Sequence, residues 1–319
     1  MRKLLKKDLP RLIEWLKTSY LLYGPTEYGF APIADHTPEL ITPIRPPKGI
    51  FFPQYQVLFR YDGKVPKSKG IGLFGVRPCD AKGLLILNRI FTQGPYRDNY
   101  WQDQYQSGII IGIGCNQPQP TCFCHWFGIG PFGKEGCDLF LTDIGDGFLI
   151  EAVSKKGEDL ISSFDPLLPP TDQDLKRRDE IVARAEAQLK DGIDPKLIKE
   201  RLDNLWESPI WGELAERCLS CALCTYLCPT CHCFDIQDEE KARVRIWDSC
   251  LFPLFTQEAS GHNPRPEIRD RLRQRIMHKF NYLYLQYKEA GCVGCGRCVI
   301  FCPVNLDLRE LMRRILDEG

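Results

Sequence analysis

The chain has 319 residues, and Lys plus Arg balance Asp plus Glu at 42 each, so no global charge points to nucleic acid or an anionic membrane. No apolar run approaches the roughly 18 to 20 residues of a membrane span, and no signal peptide or twin-arginine stretch is recognised. Sixteen Cys in an otherwise ordinary composition therefore read as metal ligands in a reducing cytosol rather than as disulfides.

Residues 2 to 18 set Leu5, Leu9, Leu12, Ile13 and Leu16 on one helical face, predicting an N-terminal helix interrupted at Pro10. The Pro- and Gly-rich residues 23 to 53 predict extended chain and turns. Strands are expected at about 55 to 61, 71 to 76, 108 to 114 and 148 to 153, with helices near 80 to 92 and 95 to 106.

Gly72-Leu-Phe-Gly-Val-Arg77-Pro78-Cys79-Asp80 reads as a buried strand that turns into a helix, with Asp80 placed to cap it. A second strand, Ile109 to Ile113, runs into Gly114-Cys115, and Thr121-Cys122-Phe123-Cys124-His125 follows soon after. Loops at strand ends gather on one side of a sheet. Cys79, Cys115, Cys122 and Cys124 are thus candidate ligands of a third iron–sulfur cluster, with His125 as a substitute ligand and Cys137 structural. Against this stands the habit of isolated Cys to act as buried hydrophobes.

Gly128-Ile-Gly130-Pro-Phe-Gly133 satisfies G-x-G-x-x-G, but Pro131 inside it and the lack of a following helix argue against a dinucleotide site. A glycine-rich loop packed around Cys122 and Cys124 is expected instead. Ser163 to Asp174, with three Pro, marks a boundary. Helical patterns at 174 to 189, 195 to 205 and 211 to 216 then form a connector with a solvated face.

Two runs dominate the remainder: Cys218-Leu-Ser-Cys221-Ala-Leu-Cys224-Thr-Tyr-Leu-Cys228-Pro and Cys292-Val-Gly-Cys295-Gly-Arg-Cys298-Val-Ile-Phe-Cys302-Pro. Both have the ferredoxin spacing C-x2-C-x2-C-x3-C-P, in which three thiolates from one tight loop hold a [4Fe-4S] cubane and the fourth Cys ligates the other cluster. Cluster 1 is thereby assigned Cys218, Cys221, Cys224 and Cys302. Cluster 2 is assigned Cys292, Cys295, Cys298 and Cys228. Zinc is the alternative, disfavoured by the duplication and by the Pro after each run.

About sixty residues separate the runs, which makes this an expanded domain. Cys231, His232 and Cys233 are expected to pack over a cluster or donate to its sulfurs. Farther on, Ile268, Leu272, Ile276 and Phe280 mark a helix whose other faces carry Arg269, Arg271, Arg273, Arg275 and Lys279, a basic strip able to dock an acidic partner or to raise a cluster potential. Leu306 to Ile315 predicts a closing helix. The fold class is α+β: a mixed α/β domain over 1–165, a helical connector over 166–215 and a largely helical, ferredoxin-like dicluster domain over 216–319.

Gly75-Val-Arg77-Pro-Cys79-Asp80, Cys228-Pro-Thr-Cys-His-Cys-Phe234, Trp247-Asp-Ser-Cys250, Gly261-His-Asn-Pro-Arg-Pro266 and Cys292-Val-Gly-Cys-Gly-Arg-Cys298 together resemble the iron–sulfur electron-transfer subunit family found in anaerobic sulfite reductases and in the beta subunits of sulfhydrogenases. The resemblance implies a cytoplasmic subunit without a catalytic residue of its own. Such a subunit passes electrons between a flavin-containing NAD(P)H- or ferredoxin-linked partner and a catalytic hydrogenase or reductase subunit. A reductase with a substrate-facing or flavin site in the N-terminal domain is the alternative.

Overall fold

The computed structural model describes residues 1–34, 38–63 and 70–318. Residues 35–37 of the Pro-rich stretch lie outside them.

Seven strands form the main sheet: β1 Arg2–Leu5, β2 Leu21–Pro25, β3 Phe30–Pro32, β5 Ile71–Val76, β6 Ile109–Ile113, β7 Leu139–Asp143 and β8 Gly147–Ala152, in the order β1-β8-β7-β6-β5-β2-β3. The four central strands β2, β5, β6 and β7 run parallel, while β1, β8 and β3 are antiparallel at the edges. Strands buried on both faces need no polar alternation. That is why Ile71–Val76 and Ile109–Ile113 are continuous apolar runs.

On one face α1, Leu9–Ser19, packs Leu9, Leu12, Ile13 and Leu16 over Phe74, Ile109, Ile111 and Ile113. On the other, α2 (Lys48–Phe51), α3 (Pro78–Thr92) and α4 (Asn99–Ser107) set Phe51, Leu84, Leu87, Phe91 and Trp101 against Leu73, Val76 and Ile110. Leu73 and Val76 share a face because Gly75 adopts φ +74° and the pairing slips there. A residue with a Cβ would resist that bulge. Its effect is to aim Arg77 and Cys79 out of the sheet.

Helix α5, Lys155–Ser162, joins α1 against the sheet through Leu160 and Ile161, and α6, Asp172–Glu186, is tied to β1 through Asp174 and Lys3. The second layer holds α7 Pro195–Leu202, α8 Ile210–Arg217, α9 Leu223–Tyr226, α10 Ile268–Met277, α11 Leu283–Tyr287, α12 Arg297–Ile300 and α13 Leu308–Asp317. A π turn, His278–Tyr282, joins α10 to α11. Helices α7, α8, α10 and α13 enclose their own core of Ile198, Trp211, Ile276, Phe280 and Met312, into which Phe123 and Trp126 of the N-terminal half are inserted. A small antiparallel sheet takes β4 (Tyr55–Arg60) from the first half and β9 (Phe234–Asp238) and β10 (Ala242–Trp247) from the second. Among the described residues no helix is long and apolar enough to cross a membrane.

Four expectations are corrected. Residues 2–5 form an edge strand, not the start of a helix, and Pro10 sits in the first turn of α1, where it starts the helix instead of interrupting it. Asp80 does not cap α3; Arg77 holds the cap position and Asp80 is buried in the first turn. The basic strip does not lie open to a partner: Arg271, Arg275 and Lys279 are buried, Arg273 lies over the Trp206 ring at 4.0 Å, and Arg269 alone of the five is exposed. The C-terminal half, expected to be largely helical, also carries the β9–β10 hairpin.

The N-terminal edge is fastened at Asp174. Its carboxylate accepts from the Thr171 amide at 2.9 Å, completing a capping box, and pairs with Lys3 of β1 at 2.6 Å. The Lys3 bond first, then the Thr171 amide, lower the carboxyl to about 2. A depressed carboxyl stabilises the fold above its unfolded value of about 4 and loses that stability as pH falls toward 2. Asp174→Asn is expected to cost about 1 kcal/mol in urea unfolding at neutral pH, with the deficit vanishing at the acid end.

Candidate metal centre

The two cysteine runs fold as equivalent turns. In the first, Ser220 (φ +52°) and Ala222 (φ +63°) take left-handed backbone between Cys218 and Leu223; in the second, Gly294 (φ +60°) and Gly296 (φ +75°) do so at the matching positions. Each turn feeds a single helical turn, α9 or α12. The duplication seen in the spacing is thus carried by backbone.

The eight cysteines of the two runs gather in two groups. Cys218, Cys221, Cys224 and Cys302 line one pocket with Leu219, Leu223 and Arg275. Cys228, Cys292, Cys295 and Cys298 line a second, more enclosed one with Phe123, Arg275 and Lys279. Cys298 and Arg275 belong to both, so the two pockets share a wall. Backbone amides point at sulfur: Ser220 donates to Cys218 Sγ at 3.4 Å and Leu306 to Cys302 Sγ at 3.2 Å. Amide-to-sulfur bonds of this kind tune iron–sulfur potentials.

Charge supplies a further test of fit. Lys279 Nζ donates to Cys228 Sγ at 3.2 Å and to Thr230 Oγ1 at 3.1 Å, and also to the Gly291 carbonyl. Lys48 Nζ donates to the Cys231 carbonyl at 2.8 Å and lies 4.3 Å from the Trp247 ring. Arg275 reaches the Cys224 carbonyl at 3.5 Å. Among the described residues none of these three buried cations has a carboxylate partner. Buried charge needs compensation. Anionic thiolate-ligated clusters held in the two pockets would supply it, so the residues present fit the group.

The N-terminal thiols meet at the same place. The Cys122–Cys124 loop docks on the second turn, with the Phe123 amide donating to the Gly294 carbonyl at 2.8 Å; a Cβ on Gly294 or Gly296 would strike the backbone of Phe123 or Thr121. Cys79 lies within electrostatic reach of Cys115 and Cys295, and Cys124 of Cys122 and Cys115. The Cys115 amide donates to the Pro131 carbonyl at 2.8 Å, so the glycine-rich loop threads between Cys115 and Cys124 as packing. No helix follows it; β7 does. As free thiols, burial pushes Cys115 to about 11 and Cys124 to about 12, protons that bound metal would displace. His125 turns away to the Asp191 carbonyl, and Cys137 is core packing beneath β6.

One helix ties these parts together. Asp80, in the first turn of α3, accepts two bonds from Arg297 of α12 at 2.6 and 2.8 Å, and Arg297 also donates to the Pro43 carbonyl at 3.1 Å. Both side chains are fully buried. Lys82 pairs with Glu289 at 2.5 Å, and Gly83 lets Pro229 approach where a Cβ would collide. Lys48, Cys250, the inward turn of Arg275 and Lys279, and the Asp80–Arg297 pair were not foreseen. For the α10 cations a signal existed, since positions 271, 275 and 279 repeat every four residues beside the apolar stripe.

Residues 217–306 match the family described as a 4Fe-4S dicluster domain. The chain is 33% identical to the sulfhydrogenase 2 subunit beta of Pyrococcus furiosus, over 99% of this chain and 97% of that protein. It is 20% identical to the F420-dependent formate dehydrogenase subunit beta of Methanocaldococcus jannaschii over 52% of this chain and 38% of that protein. No solved structure matches it.

Removing one partner of a buried pair strands the other charge, so Asp80→Asn is expected to lose about 3 to 5 kcal/mol in urea unfolding of the iron-loaded chain. Lys279→Met removes a cation and a hydrogen bond from Cys228. It should lower the potential of one cluster by on the order of 60–130 mV in an EPR-monitored redox titration and leave iron content unchanged.

Proposed function

We propose a relay role for this chain, which belongs to the iron–sulfur subunit family of the sulfhydrogenase beta subunits. It is an iron–sulfur electron-transfer subunit of an oxidoreductase. Within that role, Cys218, Cys221, Cys224 and Cys302 hold one [4Fe-4S] cluster and Cys228, Cys292, Cys295 and Cys298 a second. Cys79, Cys115, Cys122 and Cys124 hold a third. A [4Fe-4S] cluster, when bound, accepts and releases one electron.

The observation that carries this reading is the wall shared by the two cysteine-lined pockets, through Arg275 and Cys298. The path runs from the first group, where Cys221 is exposed, through the enclosed second group to the N-terminal thiols beyond Cys295. The protein's own residues insulate the path, place cations beside it and fix its turns. Cys221 and the exposed Leu219 and Leu223 form the end at which a redox partner would deliver or collect electrons.

In the assembled complex the chain joins a flavin-containing NAD(P)H- or ferredoxin-linked subunit to a catalytic subunit of hydrogenase or sulfite reductase type, in the cytoplasm. Chemistry on the substrate is left to that catalytic subunit. That its relatives are a sulfhydrogenase subunit and a formate dehydrogenase subunit supports a place in a multi-subunit redox enzyme.

Anaerobically purified chain is expected to hold about twelve irons, and its dithionite-reduced EPR spectrum should show the broadening of two interacting centres. Cys79→Ser should remove about a third of the iron and leave that interaction intact. A chain containing zinc alone would end the relay reading, and unchanged iron in the Cys79 variant would end the third cluster.

A further inference from the structure

Twelve of the sixteen thiols belong to the groups above and Cys137 is core packing, which leaves Cys231, Cys233 and Cys250. They sit together. Cys233 enters β9 opposite the point where β10 ends, and the Asp248 amide donates to the Cys233 carbonyl at 3.0 Å. Two residues later Cys250 turns back, and its thiol reaches the Cys233 sulfur as a hydrogen-bond partner. Cys231 lies beside Cys250 and hydrogen bonds to Cys228 of the second cysteine group. Sulfur atoms thus form a line from the relay to this pair.

The setting suits thiol chemistry. Both Cys233 and Cys250 are partly exposed, and the Lys48 ammonium stands near Cys233. The Cys250 bond first, then the Lys48 charge, hold the Cys233 thiol at about 7, which favours the reactive thiolate.

We propose that Cys233 and Cys250 are a redox-active pair that closes to a disulfide and reopens, exchanging two electrons with the adjoining relay one at a time. The proposal rests on the relay reading. In closing, both sulfurs give up their protons to water at the hairpin mouth, one S–S bond forms, and two electrons leave along the sulfur line to oxidised clusters. Reopening takes two electrons from reduced clusters and two protons from water. The pair therefore links one-electron carriers to a two-electron couple, and the disulfide would clasp the ends of β9 and β10.

The test poises iron-loaded full-length chain at a series of potentials, blocks free thiols with N-ethylmaleimide, and maps tryptic peptides by mass spectrometry. Lys241, Arg243 and Arg245 separate the two cysteines on cleavage. The expected result is a Cys233–Cys250 cross-linked peptide at the oxidising end that disappears after dithionite. In Cys250→Ser it should be absent at every potential, with iron unchanged. Full alkylation of both wild-type thiols at every potential overturns the pair while the measured iron leaves the relay standing. Loss of about four irons in Cys250→Ser or Cys233→Ser also overturns it, since those sulfurs would then be cluster ligands. Iron-free chain would instead remove the relay on which the pair depends.

Discussion

The bidentate contact between Arg297 and Asp80 fixes the rest of the arrangement. Arg297 belongs to the helical turn after the second cysteine loop, and Asp80 to the turn after Cys79. Their burial means that neither charge has water to fall back on, so the sheet and the cysteine loops are held in one register or not at all. Lys82 with Glu289 and Gly83 against Pro229 continue the same seam along α3. A helix that ordinarily would only cover a sheet has become the strut between strand β5 and the sulfur-rich loops.

Around the pockets the usual rule of pairing cations with carboxylates is suspended. Lys48, Arg275 and Lys279 face sulfur, carbonyls and an aromatic ring. Burial alone pushes the Lys279 ammonium down, yet the sulfurs of Cys228, Cys231 and Cys292 outweigh it and hold the proton. The charge is thus matched to cysteine sulfur rather than to a carboxylate, and an anionic cluster ligated there would complete the match. Such an arrangement couples folding to cofactor loading, because without the anion the three cations repel one another in a low-dielectric interior.

Much of this was legible because it is written at short range. The two runs state their own ligand spacing, and the apolar blocks 71–76 and 109–113 state their burial on both faces. The N-terminal thiols were readable as a group only through topology, since parallel strands deliver their following loops to one edge. What escaped reading was set by distant partners. Asp80 looked like a cap because Arg297, far along the chain, is invisible to local pattern. The arginines of α10 read as a basic strip for a partner or a cluster, but which of them turn inward was hidden, because only the neighbouring cysteine loops make the interior their lower-energy place. Strand β10 finds its second neighbour in β4, from the other half of the chain, so hairpin logic alone could not complete that sheet.

The two cysteine turns share one geometry but not one composition. Gly294 and Gly296 are hemmed in by the Thr121–Cys124 backbone, while Ser220 and Ala222 bear side chains in the same left-handed conformation, Ser220 half-buried and Ala222 packed into the helical core. The second turn therefore admits no Cβ at either position without displacing the N-terminal loop, whereas the first accepts two and turns only Leu219, Cys221 and Leu223 outward. A change of redox companion would thus be met at those three outward residues, with the interior left as it is.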